Sequence, residues 1–336
     1  MSLTQPHGPP TILPVSDDRT KSPRRGVFLA DVLANERICD HHFRLILDLP
    51  YLPPTRPGQF VQLLCSKPGE PTPPQVLQWA EGQPPRFIQA ELVDRQPLLR
   101  RPFSLAGRRD HAHGAVELDI IYRTVGVGTR WLSRVQAGTP LSVLGPLGNS
   151  FEIRPDKPSV ALVGGGVGIP PMLYLAEALA AAGKETAAFV GARTADLLPL
   201  RLLPSREVAD DGTPTHCIAE LAAFGVDAAV ATDDGTLGCK GFVSDVFQRW
   251  LDSRPWQINE LVVYSCGPEP MMRAVGETCL ARGVDCQVSL ERTMACGMGT
   301  CQSCVCKLKA DNKHGWDYKL CCADGPVFDA ARIVWD

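Results

Sequence analysis

The sequence predicts a multidomain β + α/β protein: an antiparallel β-barrel, then a parallel α/β sheet, then a small C-terminal cysteine-rich domain. Three observations predict this order. Residues 26–153 carry short β-type runs broken by Gly and Pro, the pattern of an antiparallel barrel. Residues 154–285 alternate strand-like and helix-like runs, the pattern of a parallel sheet covered by helices. Residues 286–336 are loop-rich and dense in cysteine. A chain of 336 residues is long for one domain, so two or three are expected.

The elements follow in chain order. Residues 1–25 are polar, proline-rich and aperiodic, and a disordered extension is expected there. Strands are expected at Phe43–Leu49 (FRLILDL), Gln59–Leu64 (QFVQLL), Val116–Tyr122 (VELDIIY) and Pro140–Leu144 (PLSVL). Within the barrel, residues 66–90 form an insertion, and its Pro/Gly/Gln-rich stretch 68–85 reads as surface loop. From Ser159 the rhythm changes. VALV (160–163) reads as a strand, GGGVGIPP (164–171) as a tight turn, and Met172–Ala182 as an Ala/Leu-rich helix. Thr186–Val190 and Glu260–Tyr264 read as a second and a third strand of a parallel sheet. The sequence shows no internal repeat.

Composition narrows the function. The net charge is −3, which gives no support for a nucleic-acid partner needing a basic face. The uncharged run 160–176 contains Gly164, Gly165, Gly166, Gly168, Pro170 and Pro171, which suits a strand, turn and helix start rather than a membrane span. Residues 1–25 lack the apolar core of an export signal, so a cytoplasmic location is expected. In that compartment 13 cysteines read as thiols and metal ligands rather than a disulfide framework.

Cys296-Gly-Met-Gly-Thr-Cys301-Gln-Ser-Cys304 has the C-x4-C-x2-C spacing of plant-type [2Fe–2S] sites, with a fourth ligand further on. Four thiolates must converge on two irons, so three come from one wrapping loop. Gly297 and Gly299 permit positive φ and close approach to inorganic sulfur. A structural zinc site more often presents two separated pairs, so the triplet favours the cluster. Cys321 and Cys322 both remain candidates for the fourth ligand. In extended chain adjacent side chains point oppositely, so one of them should reach iron. Cys306 reads as a buried thiol.

A cluster moves single electrons and nicotinamide moves hydride, so a flavin is expected between them, in the barrel. Arg101-Pro102-Phe103-Ser104 would place an Arg on a phosphate and a hydroxyl near the flavin ring; alone, the tetrapeptide also fits an ordinary strand. Gly126-Val-Gly128-Thr129 enters a short helix whose N–H groups suit a pyrophosphate. Gly164, Gly165, Gly166 and Gly168 follow a strand and open a helix, though position 169 is Ile rather than the Gly of G-x-G-x-x-G. Arg193 after the second strand would suit a 2′-phosphate, which leaves NAD and NADP both open. Cys266 and Gly267 end the third strand, where a nicotinamide crevice is expected. The histidines are scattered and form no acid/base constellation, so no catalytic residue is assigned.

RPFS, GVGT, GGGVGIPP, CGPEPMM and the terminal cysteine motif, in this order, resemble ferredoxin-reductase-like flavoproteins. Within them the sequence is similar to the electron-transfer subunits of NAD-linked, type B dihydroorotate dehydrogenase. The segments that carry this likeness are LLRRPFS (98–104), GPLGNSFEI (145–153), TDDGTLGCKGFVSD (232–245), MACGMGTCQSCVC (294–306) and CADGPVF (322–328). The resemblance implies that Arg101, Phe103 and Ser104 bind FAD, with Gly126, Gly128 and Thr129 at its pyrophosphate. It implies that Gly164–Gly168, Cys266 and Gly267 face NAD, and that Cys322 is the fourth cluster ligand. It further implies a partner, an FMN-containing catalytic subunit oxidising dihydroorotate in pyrimidine biosynthesis, in a heterotetramer. The 1–25 extension and the 66–90 insertion are not typical of that family. A subunit of the same architecture serving a sulfide dehydrogenase, a hydrogenase or an NADPH–ferredoxin system is the alternative. A zinc-bearing binding module is the alternative from another class.

Overall fold

The computed structural model describes residues 25–66, 77–78, 81–83, 86–87, 99–204 and 206–335. The expected disorder of 1–25 lies outside the described residues except for Arg25, and so does most of the 66–90 insertion. Within that insertion the described residues form a small hairpin, β4 (Leu77–Gln78) with β5 (Arg86–Phe87).

The barrel is built on β1 (Gly26–Cys39), a strand of 14 residues that the sequence patterns did not reveal. Its Ala30 and Val32 point into the core while Val27 and Leu29 stay exposed, the alternation of a half-buried strand. Polar residues at Asp31, Asn35 and Glu36 hide that alternation from a hydrophobicity count. β1 pairs antiparallel with β2 (His42–Leu49) and with β9 (Pro140–Leu147). β3 (Phe60–Leu63) joins β9, β6 (Arg101–Ser104) joins β3, β8 (Val116–Arg123) joins β2, and β7 (Gly107–Asp110) joins β8. The resulting order is β6-β3-β9-β1-β2-β8-β7. Strands β6 and β7 are two halves of one run, separated by Leu105 and Ala106. Its first half pairs with β3 and its second with β8, so the two sheet edges meet. Leu45, Leu47, Leu63, Leu118 and Ile120 fill the interior.

The second sheet has the order β13-β12-β11-β10-β14-β15-β18, formed by β10 (Ser159–Gly165), β11 (Glu185–Ala192), β12 (Asp227–Thr232), β13 (Cys239–Lys240), β14 (Leu261–Cys266), β15 (Asp285–Ser289) and β18 (Val327–Asp329). All neighbours are parallel except β15 and β18. Along β10 successive residues serve opposite cores. Val160 and Leu162 pack under α2 (Ile169–Ala181), whereas Ala161 and Val163 pack on the face carrying α4 (Val243–Asp252) and α5 (Glu269–Arg282). Burial on both faces explains the continuous apolar run. A single turn of helix, α3 (Ala219–Ala222), precedes β12. The run DAAVAT of β12 was not expected; its small alanines carry little β signal. The strand expected third in this sheet is therefore preceded in the chain by β12 and β13. Helix α2 starts at Ile169, earlier than expected, with Pro170 and Pro171 in its first turn.

The cysteine-rich segment contributes a hairpin of β16 (Val305–Lys309) and β17 (Trp316–Leu320), and then β18, which completes the second sheet. Among the described residues no helix is long and apolar enough to cross a membrane.

Candidate functional site

A cleft of about 990 Å³ opens between the barrel and the carboxyl ends of the second sheet. There the chain leaves the central strand β10 for β11 on one side while β14 flanks the other, the crossover where open α/β sheets form ligand crevices. Pro102, Phe103 and Ser104 of β6 line it, with Thr129 of α1 (Val127–Leu132). Gly165, Gly166 and Gly168 line it from the turn after β10, and Cys266 and Gly267 from the end of β14.

Four of the sequence-predicted residues stand behind this wall. Gly164 is buried against α2, and a Cβ there would come within 3.2 Å of the Ile169 Cα. Arg101 lies against Gly128, where a Cβ would be 3.1 Å from its Cγ, so the RPFS motif and the GVGT turn are in direct contact. Gly126 caps α1, and its N–H donates to the Thr129 hydroxyl at 3.0 Å. The Thr129 hydroxyl also accepts from Val125 N–H at 2.9 Å, so it is occupied in shaping its own turn.

The glycines are explained by close approach. A Cβ on Gly168 would sit 2.2 Å from the Cys266 carbonyl oxygen, and one on Gly165 2.6 Å from Met271 Sδ. Backbone therefore lies directly on backbone where the GGGVG turn meets the Cys266–Gly267 turn. Burial pushes the Cys266 thiol up to about 12, with the Glu291 charge adding to it, so this sulfur is a neutral wall group.

Sequence reasoning missed several lining residues. Tyr122 and Arg123 end β8, His42 opens β2, Phe242 precedes α4, and Met271 lies in α5. Phe242 is 64% exposed, an aromatic left uncovered at the cleft, and it stood within the quoted run TDDGTLGCKGFVSD. Arg193, which the sequence did single out, lies with Asp233, which it did not, at the ends of β11 and β12. Glu291, Arg292 and Met294 line the cleft from the segment that leads to Cys296. Arg292 is held by a two-pronged ion pair to Glu269, at 2.7 and 3.1 Å.

The cysteine loop continues directly from that wall. Gly297 (φ +69°) and Gly299 (φ +88°) take the left-handed conformations the motif called for. Met298 N–H and Cys301 N–H each donate to Cys296 Sγ at 3.4 Å, Gly299 N–H donates to Cys322 Sγ at 3.2 Å, and Cys322 N–H to Cys304 Sγ at 3.4 Å. Backbone donors aimed at thiolate sulfur are the surroundings an iron–sulfur cluster uses. The four sulfurs stand as two pairs, Cys296 with Cys301 and Cys304 with Cys322. Among the described residues no three Cys, His, Asp or Glu groups surround a single point, which a cluster taking two thiolates on each of two irons does not require. Cys301 is exposed, and the Ser303 hydroxyl at 3.2 Å helps hold its thiol down at about 6. Burial first, and then Cys304, pushes the Cys322 thiol up to about 12.

Cys321 faces the other way. It is fully buried and its thiol donates to the Leu290 carbonyl at 3.1 Å. Cys306 is buried with its thiol toward the Lys319 carbonyl.

Known proteins resemble both the α/β segment and the cysteine-rich segment. Residues 291–334 match the iron–sulfur cluster binding domain of dihydroorotate dehydrogenase B, and residues 162–277 match the oxidoreductase NAD-binding domain. The chain is 38% identical over 255 residues to the dihydroorotate dehydrogenase B (NAD(+)) electron transfer subunit of Geobacillus kaustophilus, covering 75% of this chain and 87% of that one. It is 36% identical over 261 residues to the subunit of the same name from Caldanaerobacter subterraneus, covering 77% and 91%. A solved structure of NADH-dependent reduced ferredoxin–NADP oxidoreductase superposes with a TM-score of 0.67 at 26% identity, covering 91% of this chain and 90% of that one.

Proposed function

The chain belongs to the family of dihydroorotate dehydrogenase B electron transfer subunits, and from that premise we propose that it carries electrons from a catalytic partner through a [2Fe–2S] cluster and FAD to NAD+. The partner is an FMN-containing subunit that oxidises dihydroorotate to orotate in pyrimidine biosynthesis, joined with this chain in a cytoplasmic heterotetramer. One observation carries the reading. Residues from the barrel, from the α/β turns and from the lead-in to Cys296 line one continuous cleft, so the walls expected to face flavin and nicotinamide share a space that reaches to within two residues of the first cluster cysteine.

When bound, a flavin supplies the exchange between hydride and single electrons that a nicotinamide on one side and an iron–sulfur cluster on the other require. The residues divide accordingly. Cys296, Cys301, Cys304 and Cys322 hold the irons. Arg101 places its positive charge beside the Gly126–Gly128–Thr129 turn, where a pyrophosphate is received by charge and backbone N–H together. Pro102, Phe103 and Ser104 form the wall for the flavin ring. Gly164, Gly165, Gly168 and Gly267 let the turns after β10 and β14 pack closely, and Gly165, Gly166 and Gly168, with Cys266 and Gly267, form the wall for the nicotinamide nucleotide. Arg193 and Asp233 stand at the strand ends where the ribose 2′ position is read, so NAD+ and NADP+ are compared in the same assay.

The test is affinity purification from native cells, followed by assay with dihydroorotate and NAD+. Co-purification with an FMN protein and NADH formation are expected. A complex inert to dihydroorotate would refute the reading and favour a reductase for another partner. The likeness to a ferredoxin–NADP oxidoreductase along nine-tenths of the chain keeps that second reading open to the same assay with reduced ferredoxin.

A further inference from the structure

The cysteine loop is tied to the barrel at both of its legs, each time by a side-chain amide. The outgoing leg runs from Cys322 to Val327, with a candidate iron ligand at one end and the cleft-lining Pro326 near the other. Asn149, two residues beyond β9, holds that leg along its length. Its Nδ2 donates to the Asp324 carbonyl at 3.1 Å and to the Val327 carbonyl at 2.8 Å, while its Oδ1 accepts from Val327 N–H at 2.9 Å. Its own backbone N–H donates to the Gly325 carbonyl at 2.6 Å. The neighbouring Gly148 (φ +74°) lets the leg come close, because a Cβ there would lie 2.6 Å from Pro326 Cδ.

The incoming leg meets Gln62 of β3, which is 1% exposed. Gln62 Nε2 donates to the Ala295 carbonyl at 3.4 Å, and a Cβ on Gly297 would lie 2.6 Å from Gln62 Cδ. In the barrel Gln62 is the register partner of Pro102, inside the RPFS motif. Its Oε1 is buried with no hydrogen-bond partner, which costs stability that an apolar side chain of this shape would not lose. Gln62 therefore links the cysteine loop to the strand paired with RPFS, and Asn149 links it to the end of β9, which pairs with β3 in turn.

Resting on the relay reading above, we propose that Asn149 and Gln62 are positioning residues that fix the separation between cluster and flavin and so set the rate of electron passage between them. The step is a one-electron transfer in which no bond forms or breaks. The cluster loses one electron and the flavin gains it; two such steps, with one proton from solvent, balance the hydride given to NAD+. Tunnelling weakens steeply with distance, so a loosened leg slows this step without touching the chemistry at either end.

The experiment uses the full chain loaded with FAD and cluster, mixed anaerobically with NADH in a stopped-flow spectrometer. Asn149→Ala is expected to reduce its flavin at the wild-type rate but to bleach its cluster severalfold more slowly, because tunnelling falls as the cluster and flavin move apart. Gln62→Met is expected to show a smaller delay of the same kind. Hydrogen exchange on the loaded protein supplies an independent readout: the Val327 amide should lose protection in Asn149→Ala. Where the alanine variant does not load, Asn149→Asp keeps the volume and removes both donors. Cluster bleaching at the wild-type rate, equal slowing of flavin and cluster, or failure of all three variants to hold the cluster would each overturn the proposal. A wild-type protein whose cluster NADH never bleaches would instead overturn the relay itself.

Discussion

At the scale of single residues, the neighbouring cysteines 321 and 322 show how one position decides chemistry. Cys321 N–H donates to the Cys304 carbonyl, which turns the Cys321 sulfur inward under Leu290, and the next residue then faces the loop. Cys322→Ser is expected to lose the cluster absorbance and the iron, and Cys321→Ser to keep both at a cost of about 1–2 kcal/mol for its buried thiol and hydrogen bond. Iron analysis of the two purified variants decides the matter, and the reverse pattern would move the ligand to 321. His42 makes a second prediction. Its Nδ1 donates to the Asp40 carbonyl at 2.8 Å, its ring is 2% exposed, and burial lowers its pKa below the ordinary 6.5. The unfolded chain takes up a proton near that ordinary value while the folded one does so only at lower pH. Its contribution to stability is thus complete above pH 6.5 and is lost as pH falls toward the depressed folded value. Urea midpoints measured on both sides of pH 6.5 should fall more steeply on the acid side for wild type than for His42→Phe. Parallel slopes would show that His42 does not contribute.

At the scale of elements, the turns after β10 and β14 work only because they touch backbone to backbone. Gly168 has φ −83°, which any residue adopts, so its requirement is purely one of space. Gly168→Ala would drive a methyl into the Cys266 carbonyl, and we expect about 1–3 kcal/mol of lost stability with at least about tenfold weaker NADH binding. Gly283→Ala is the control. It has φ +68° in the αL position after α5 with nothing near its Cβ, so it should cost about 1 kcal/mol of stability and leave NADH binding unchanged. Equal NADH affinity in the two variants, by titration of flavin reduction, would refute the close-packing account. These turns were legible in the sequence because glycine and proline are punctuation whose meaning is local. Strands with clean alternation, such as FRLILDL and VELDIIY, were legible for the same reason. β1 and β12 were not, since polar residues interrupt the first and alanines flatten the second, and tertiary pairing supplies what local pattern lacks. Asn149 stood in view within GPLGNSFEI, yet its partners lie about 175 residues further along, beyond any local pattern.

At the scale of the whole molecule, the C-terminal segment is a wall of the core rather than an appended module. Phe60, Leu144 and Leu147 of the barrel share one buried cluster with Val263 and Met272 of the α/β domain and with Cys304, Leu308, Phe328 and Ile333 of the cysteine-rich segment. Strand β18 also covers the edge of β15, with Ser289 paired to Val327. The division placed at 285/286 in the sequence accordingly runs through β15 itself, because cysteine density marks the chemistry of a segment and not where its side chains pack. This predicts two different outcomes for two ways of removing the cluster. Cys301→Ser deletes one exposed thiol and leaves the wall standing, so NADH oxidation with an artificial flavin acceptor should persist near the wild-type rate. Ending the chain at Ser289 exposes the shared core and the open edge of β15, an invitation to aggregation. The truncated chain is therefore expected to aggregate, or to melt well below the Cys301→Ser variant, with little acceptor activity left. Gel filtration, a thermal melt and the acceptor assay on both proteins settle it. A monodisperse truncated chain with full acceptor activity and an unshifted melting temperature would mean that the cysteine-rich segment folds apart from the rest, and the shared core would then carry no weight.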